Sequence, residues 1–324
     1  MKICFLDNSP LNYDETKLLS GGVRGAEKAL INLSKEFTKL GHKVTVLNNI
    51  DNEKFFSDIR WFNIKNYKNN ESFDLAITNN DIRNFDLIKS SKKIAISHSI
   101  QSIEKFIRKR QLFSYLKHKP KIVILSDYHK KNRSFFLRLF GNFKLSWAVD
   151  DIFINTNISN TIDPNLAIFT SNKDRNLQIL IDIWKEYIFP KDKSKKLLIS
   201  SISADLTNFN IYNREEVSQI SLIKDLLKSK IFLIPGHKAE LFCLAAEEAR
   251  ELCIPSVTLG IGSLSERVIH GKTGFVAKNH KEFSEFALML FNDQTVWNEI
   301  RSNLVEMRNK YTWKECARDF LKLI

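Results

Sequence analysis

A chain of 324 residues is long enough for two ordinary domains, and a hydrophobic content of 43% is enough to fill their cores. No stretch approaches the roughly 18–20 uninterrupted apolar residues of a membrane span. The start, Met1-Lys2-Ile3-Cys4-Phe5-Leu6-Asp7, is too short for a secretory leader and reads as a first strand, so a cytoplasmic protein is expected. The formal net charge of +13 asks for an anionic partner. Nucleic acid is disfavoured, because no RNA- or DNA-binding motif accompanies that charge.

Taken in chain order, short apolar runs alternate with helical patterns, the sign of βα units and parallel sheets. Strands are predicted at 2–6, 43–48, 74–78, 93–97, 121–125 and 145–149 in the first half. In the second half they fall at 165–170, 196–201, 230–234, 255–259 and 273–277. Two such series predict two Rossmann-like domains. The Asn-, Asp-, Thr- and Ser-rich segment Asp150 to Pro164 reads as the linker. Cys4, Cys243, Cys253 and Cys316 show no zinc-ligand spacing and read as reduced structural thiols. Cys243 stands apart by its position, but no matched base lies near it in sequence to activate a nucleophile.

Several segments carry chemistry. Gly21, Gly22 and Gly25 form a loop ahead of a helix, either a plain β–α turn or a cradle of backbone N–H groups for a phosphate. His98 ends the strand Ile94-Ala95-Ile96-Ser97 at the carboxyl edge, where open parallel sheets bind ligands. His129 closes the next strand in the same way. Segments 102–119 and 130–140 interleave Lys and Arg with Ile, Leu, Phe and Tyr. That pattern is either a core-facing stripe with solvated charges or a cationic surface for anionic lipid. Farther on, Pro235 and Gly236 end the apolar run Ile231 to Ile234, and an alanine-rich helix is expected over Leu244 to Leu252. A helix N-terminus there suits a phosphate, with Glu240 before it and Glu248 within it.

That last stretch contains Glu240, Phe242, Leu244, Glu248 and Ala249, then Ile254-Pro255, Gly262-Ser263-Leu264-Ser265-Glu266 and His270-Gly271-Lys272-Thr273-Gly274. The ordered set resembles the signature E-G-F-G-L-x-x-x-E-A, G-x-P, G-G-x-x-E and H-G-x-T-G of the retaining nucleotide-sugar glycosyltransferases of the GT-B fold. This is the large family that contains sucrose synthases and bacterial lipopolysaccharide and mannosyl transferases. Leu241, Cys243 and Cys253 stand where the pattern has glycine, which removes backbone freedom. Gly25-Ala26-Glu27 and Leu40-Gly41-His42-Lys43-Val44-Thr45-Val46 resemble the family's first helix and second strand, with Arg24 in place of a glycine. Phe169 to Leu177 resembles the segment that opens the second domain, with Arg175 in place of a lysine and no match for the family's arginine.

The resemblance implies an α/β GT-B fold of two Rossmann-like domains facing across a cleft. The N-terminal acceptor-side domain would span 1–155 and the nucleotide-sugar domain 156–310, with a terminal helix, 311–324, crossing back to the first domain. It implies that Glu248 holds ribose hydroxyls and Arg175 the diphosphate. The N–H groups of Phe242, Cys243 and Leu244 would meet the leaving phosphate, and Gly22 and Gly25 would line the donor. Glu240 and His98 would position the sugar. Lys173 or Lys238 would supply the missing cation, unless both are plain surface lysines. No metal site and no cofactor are expected, with a nucleoside diphosphate sugar as co-substrate. The implied reaction moves a hexose, with retention, to a glycan or lipid-linked acceptor, in a cytoplasmic enzyme peripheral to the membrane. Two alternatives share the motifs: a nucleotide-sugar epimerase of the same fold, and a non-catalytic glycan- or membrane-binding relative.

Overall fold

The computed structural model describes all residues except 21, 22, 69, 160, 201 and 215–217. Gly22, expected to line the donor, thus lies outside the described residues. The chain divides into two compact units, one made of Met1–Trp147 with Trp313–Ile324, the other of Ala148–Thr312. Among the described residues, no helix is long and apolar enough to cross a membrane.

In the first unit the strands are β1 (Lys2–Leu6), β2 (Lys43–Asn48), β3 (Lys54–Phe56), β4 (Ile59–Asn63), β5 (Ser72–Asn79), β6 (Lys89–Ile96), β7 (Lys121–Ile124) and β8 (Phe143–Lys144). They form one sheet in the order β3-β4-β2-β1-β5-β6-β7-β8, parallel except for β3. β1 is central, with Ile3 opposite Val44 on one side and Leu75 on the other. Runs such as Ile3-Cys4-Phe5-Leu6 are apolar at every position because helices cover both faces. The helix Gly25–Lys39 buries Ala29, Leu30, Leu33 and Phe37, the spacing of one helical face. Phe37 meets Phe320 of the helix Trp313–Leu321 edge-on, with ring centroids 5.8 Å apart. Trp313 packs on Trp147 at 5.7 Å.

The expected strand 145–149 does not form. Leu145 N–H donates to Ile124 O at 3.0 Å, and Trp147, Ala148 and Val149 then continue as a buried connection. A short apolar run has the same period whether it pairs or merely packs. The β3–β4 hairpin went unread because Phe55 and Phe56 are exposed. Its turn is made by Ser57 and Asp58, both left-handed at φ 50° and 60°, as the tight primed turns require.

In the second unit, β9 (Asp163–Ile168), β10 (Lys196–Ile199), β11 (Ile211–Asn213), β12 (Ser229–Leu233), β13 (Ser256–Thr258) and β14 (Gly274–Val276) form a parallel sheet in the order β11-β10-β9-β12-β13-β14. The helix Leu177–Ile183 widens into a π turn, Trp184–Ile188, whose Trp184 Nε1 donates to Phe209 O at 2.9 Å. The strand order reverses between β9 and β12. Two chains leaving neighbouring strands in opposite directions open a crevice beyond their carboxyl ends, the usual ligand position in such sheets.

Candidate functional site

The loops that follow β9 and β12 meet at that crevice. After β9, Asn172 turns the chain by accepting from Asp174 N–H through its side chain and from Arg175 N–H through its carbonyl, both at 2.9 Å. Asn176 sits left-handed at φ 64° and its side-chain amide donates to Gly236 O at 2.6 Å, tying the two loops together. Gly236, at φ 93°, passes so close to the Gly260–Ser263 loop that a Cβ there would lie 2.6 Å from Ile261 O. At Gly262 (φ 75°) a Cβ would lie 2.4 Å from His237 O and 2.8 Å from Glu240 O. Glu240 is held by its own main chain, donating to His237 O at 2.8 Å and accepting from Ser263 N–H at 2.9 Å.

This scaffold brings three side chains together. Arg175 Nε lies 3.7 Å from Glu240 Oε2, and Arg175 Nη1 lies 3.3 Å from His237 Nδ1. His237 Nδ1 also accepts from Ala239 N–H at 3.0 Å. That leaves the ring proton on Nε2 in the neutral form. Burial raises the Glu240 carboxyl above its ordinary range, opposed by the Arg175 charge and by the Cys243 N–H, which points at it. A partly buried ion pair this far apart, with side chains 34% and 16% exposed, stabilises a fold by little, because desolvation offsets the attraction. The cost of burying Glu240 is therefore not explained by stability.

The helix Leu244–Glu251 begins at this point without a side-chain cap, so its first N–H groups and a partial positive charge of about 0.5 face the loop. Cys243 takes φ 64°, ψ 78°, and Cys253 takes φ 58°. Two of the three glycine positions of the motif thus have the left-handed backbone that favours glycine, each occupied here by a cysteine; Leu241 does not. Burial, with Glu240 adding, pushes the Cys243 thiol well up, so it is not a thiolate nucleophile. Phe242 is buried under the Arg267 guanidinium, 4.6 Å from its ring centroid. Arg267 in turn pairs with buried Glu247 at 3.2 Å. Glu248 is buried on the same helix and Leu244 begins it, while Lys173 and Lys238 are exposed on their loops.

At the carboxyl edge of the first sheet, His98 follows β6. Its backbone N–H donates to Asn80 Oδ1 at 2.7 Å, its Nε2 lies 3.2 Å from Asn79 Oδ1, and its ring stacks on Trp147. Burial lowers its pKa to about 4. His129 is buried and held to about 3 by burial and by the charge of Arg133. Both imidazoles are neutral at pH 7. Beside them, Asp7 at the end of β1 accepts from Tyr13 Oη at 2.6 Å, and Glu27 accepts from Ser9 Oγ at 2.7 Å. Gly25 is exposed at the start of its helix, which no side chain caps. Sequence reasoning missed His237, Asp7, Asn79 and Trp147. The signal for Asp7 and Asn79 was their place at the ends of β1 and β5.

No protein-family model matches the chain. A "probable sucrose-phosphate synthase" of Thermosipho melanesiensis is 33% identical over 94 residues, 29% of this chain and 22% of that protein. An uncharacterized glycosyltransferase of Methanocaldococcus jannaschii is 24% identical over 229 residues, 67% of this chain and 63% of that protein. The chain thus spans less than two thirds of either relative. Among solved structures, Anabaena HepE in complex with UDP-glucose superposes over 100% of both chains with a TM-score of 0.70 at 15% identity. WaaG, a glycosyltransferase involved in lipopolysaccharide biosynthesis, covers 99% of both with a TM-score of 0.70 at 10% identity. The chain has the GT-B glycosyltransferase fold. Its sequence relatives and structural neighbours are GT-B glycosyltransferases, and its two parallel sheets are the Rossmann-like halves of that fold.

Proposed function

We propose that the chain is a retaining glycosyltransferase that moves a hexose from a nucleoside diphosphate sugar to a glycan or lipid-linked acceptor. The observation that carries this reading is the meeting of Arg175, His237 and Glu240 beside an uncapped helix N-terminus at the strand-order reversal of the second sheet. A guanidinium and a helix end hold a diphosphate by fixed charge. A carboxylate held by its main chain accepts from sugar hydroxyls. As the glycosidic bond breaks, charge grows on the departing phosphate, and donors already oriented toward it lower the barrier. The phosphate then takes the acceptor hydroxyl proton, so front-face attack needs no separate base. Glu248, one turn into the helix, is assigned to the ribose, and neutral His98 to a sugar hydroxyl. The cationic groups do the work that a divalent metal does elsewhere, so the reaction is expected to proceed in EDTA.

The test is thermal stabilisation by UDP, GDP and ADP, with and without EDTA, for the wild type and Glu248→Ala. A ligand specific to the folded state at a hundredfold excess over Kd adds about 2.7 kcal/mol. One nucleotide should shift the wild type regardless of EDTA, and the variant should respond weakly. No shift with any nucleotide would sink the donor site. The anomeric proton of the product, followed by NMR from the first turnover, separates retention from inversion. Consumption of donor without an acceptor would favour the epimerase instead.

A further inference from the structure

Segments 102–119 and 130–140 form a helix Ile103–Arg108, a helix Leu112–His118, the end of a helix Asp127–Asn132 that carries Lys130 and Lys131, and a 3-10 helix Phe135–Phe140, all in the first unit. Their apolar residues divide into two sets. Phe106, Tyr115 and Leu137 point inward and are buried, with Tyr115 4.8 Å from Phe106 and 5.4 Å from Phe140 between ring centroids. These contacts satisfy the core and hold three of these helices together. The other set has no such role: Phe113 is 82% exposed, Phe135 73% and Leu139 72%, with Ile103, Ile107 and Leu116 also exposed. So many large apolar side chains left in water on one group of short helices mark an interaction surface.

The charge around them is lopsided. The two segments carry ten Lys and Arg residues against one acid, Glu104, a net excess of nine out of the chain's thirteen. Among the described residues, Arg108, Lys109, Arg110, Lys119, Lys130 and Lys131 are exposed and form no ion pair. A second copy of this chain would bring the same excess against itself and be repelled. A phosphodiester chain would satisfy the cations but leave Ile103, Ile107, Leu116 and Leu139 in water. An anionic bilayer satisfies both sets, taking the side chains into the acyl boundary and the cations among the headgroups. We propose that the outer side of these helices docks on an anionic lipid surface. The inference does not use the donor site, and neither depends on the other's success.

The experiment is co-sedimentation of the full chain with phosphatidylcholine vesicles and with vesicles that also contain phosphatidylglycerol. Two triple variants are compared: Arg108→Gln/Lys109→Gln/Lys131→Gln and Phe113→Ser/Phe135→Ser/Leu139→Ser. All six positions are exposed, so thermal melts should match the wild type. The wild type is expected to pellet with the anionic vesicles and not with phosphatidylcholine alone. Each cation lost should weaken partitioning about fivefold, so the charge variant should lose about a hundredfold. The apolar variant should retain only binding that high salt abolishes. Equal binding to both vesicle types, or none to either, overturns the proposal. So does an apolar variant that binds like the wild type and is displaced by soluble polyphosphate, because that would leave a polyanion site rather than a membrane surface.

Discussion

At the carboxyl edge of the second sheet, a guanidinium, an imidazole and a carboxylate stand beside a helix N-terminus. At the same edge of the first sheet stand two imidazoles held neutral, asparagine amides and a buried carboxyl bonded to a tyrosine. Two sheets of similar winding thus end in different chemistry. The second edge offers fixed positive charge, which suits a phosphate; the first offers neutral donors and acceptors, which suit hydroxyl groups. The winding sets where a ligand sits, and the residues just past the strands set which ligand it is.

The sharpest way to break this comparison is through backbone approach. Gly262→Ala places a Cβ 2.4 Å from His237 O at φ 75°, and displacing two main-chain strands of the site should cost about 3 kcal/mol or more. Gly41→Ala in the first unit, at φ 83° with open space around it, should cost only about 1–2 kcal/mol. Urea denaturation of both variants measures the difference; equal losses would mean that the second edge is no more tightly built than an ordinary turn.

Arg175→Ala sharpens the contrast in charge. Losing hydrogen bonds to a charged group removes about 1.5–3 kcal/mol of binding, a ten- to hundredfold rise in nucleotide Kd by calorimetry. The ligand-free melting curve should barely move, because the pair is 3.7 Å apart and Glu240, already raised by burial, can take up a proton when the cation is lost. His98→Ala should leave nucleotide affinity nearly unchanged, since its edge is assigned to hydroxyl groups.

Acid probes the first edge. His98 and His129 titrate at about 4 and about 3 in the folded chain, against about 6.5 when unfolded. The unfolded chain therefore binds more protons below pH 6.5. Stability should fall as pH drops from about 6.5 towards 4, by at most about 1.4 kcal/mol per pH unit for each histidine. His129→Gln should flatten that slope in melts recorded across the window. An unchanged slope would mean that its imidazole is not held neutral.

The smallest effect is expected at the cysteines. Cys243→Gly and Cys253→Gly relieve a left-handed backbone but remove a buried side chain and loosen the unfolded chain. These contributions should cancel to within about 1 kcal/mol. A loss of several kcal/mol in denaturant would assign the thiols a packing role beyond that balance.

Much of this was legible in the sequence. The central strands were readable because parallel strands buried on both faces are apolar at every position. Arg175, Glu240 and Glu248 were singled out because their order along the chain resembles a motif, and the structure brings Arg175 and Glu240 together. His237 was not: nothing in its neighbours' identities says that its ring will face Arg175, 62 positions away. The run 145–149 misled because packing without pairing leaves the same apolar trace as a strand. In segments 102–119 and 130–140 the pattern did not say which apolar residues face the core; Phe106 and Tyr115 do, while Phe113 and Phe135 are exposed.

The helix Trp313–Leu321 lies in the first unit although the second intervenes in the chain. During synthesis, the contiguous segment Ala148–Thr312 is complete before the first unit has received its last helix. Until then the surfaces of Phe37 and Trp147 that meet Phe320 and Trp313 stay uncovered. The usual order of assembly, N-terminal piece first, is thereby reversed at its final step. The half of the molecule made first is the half finished last.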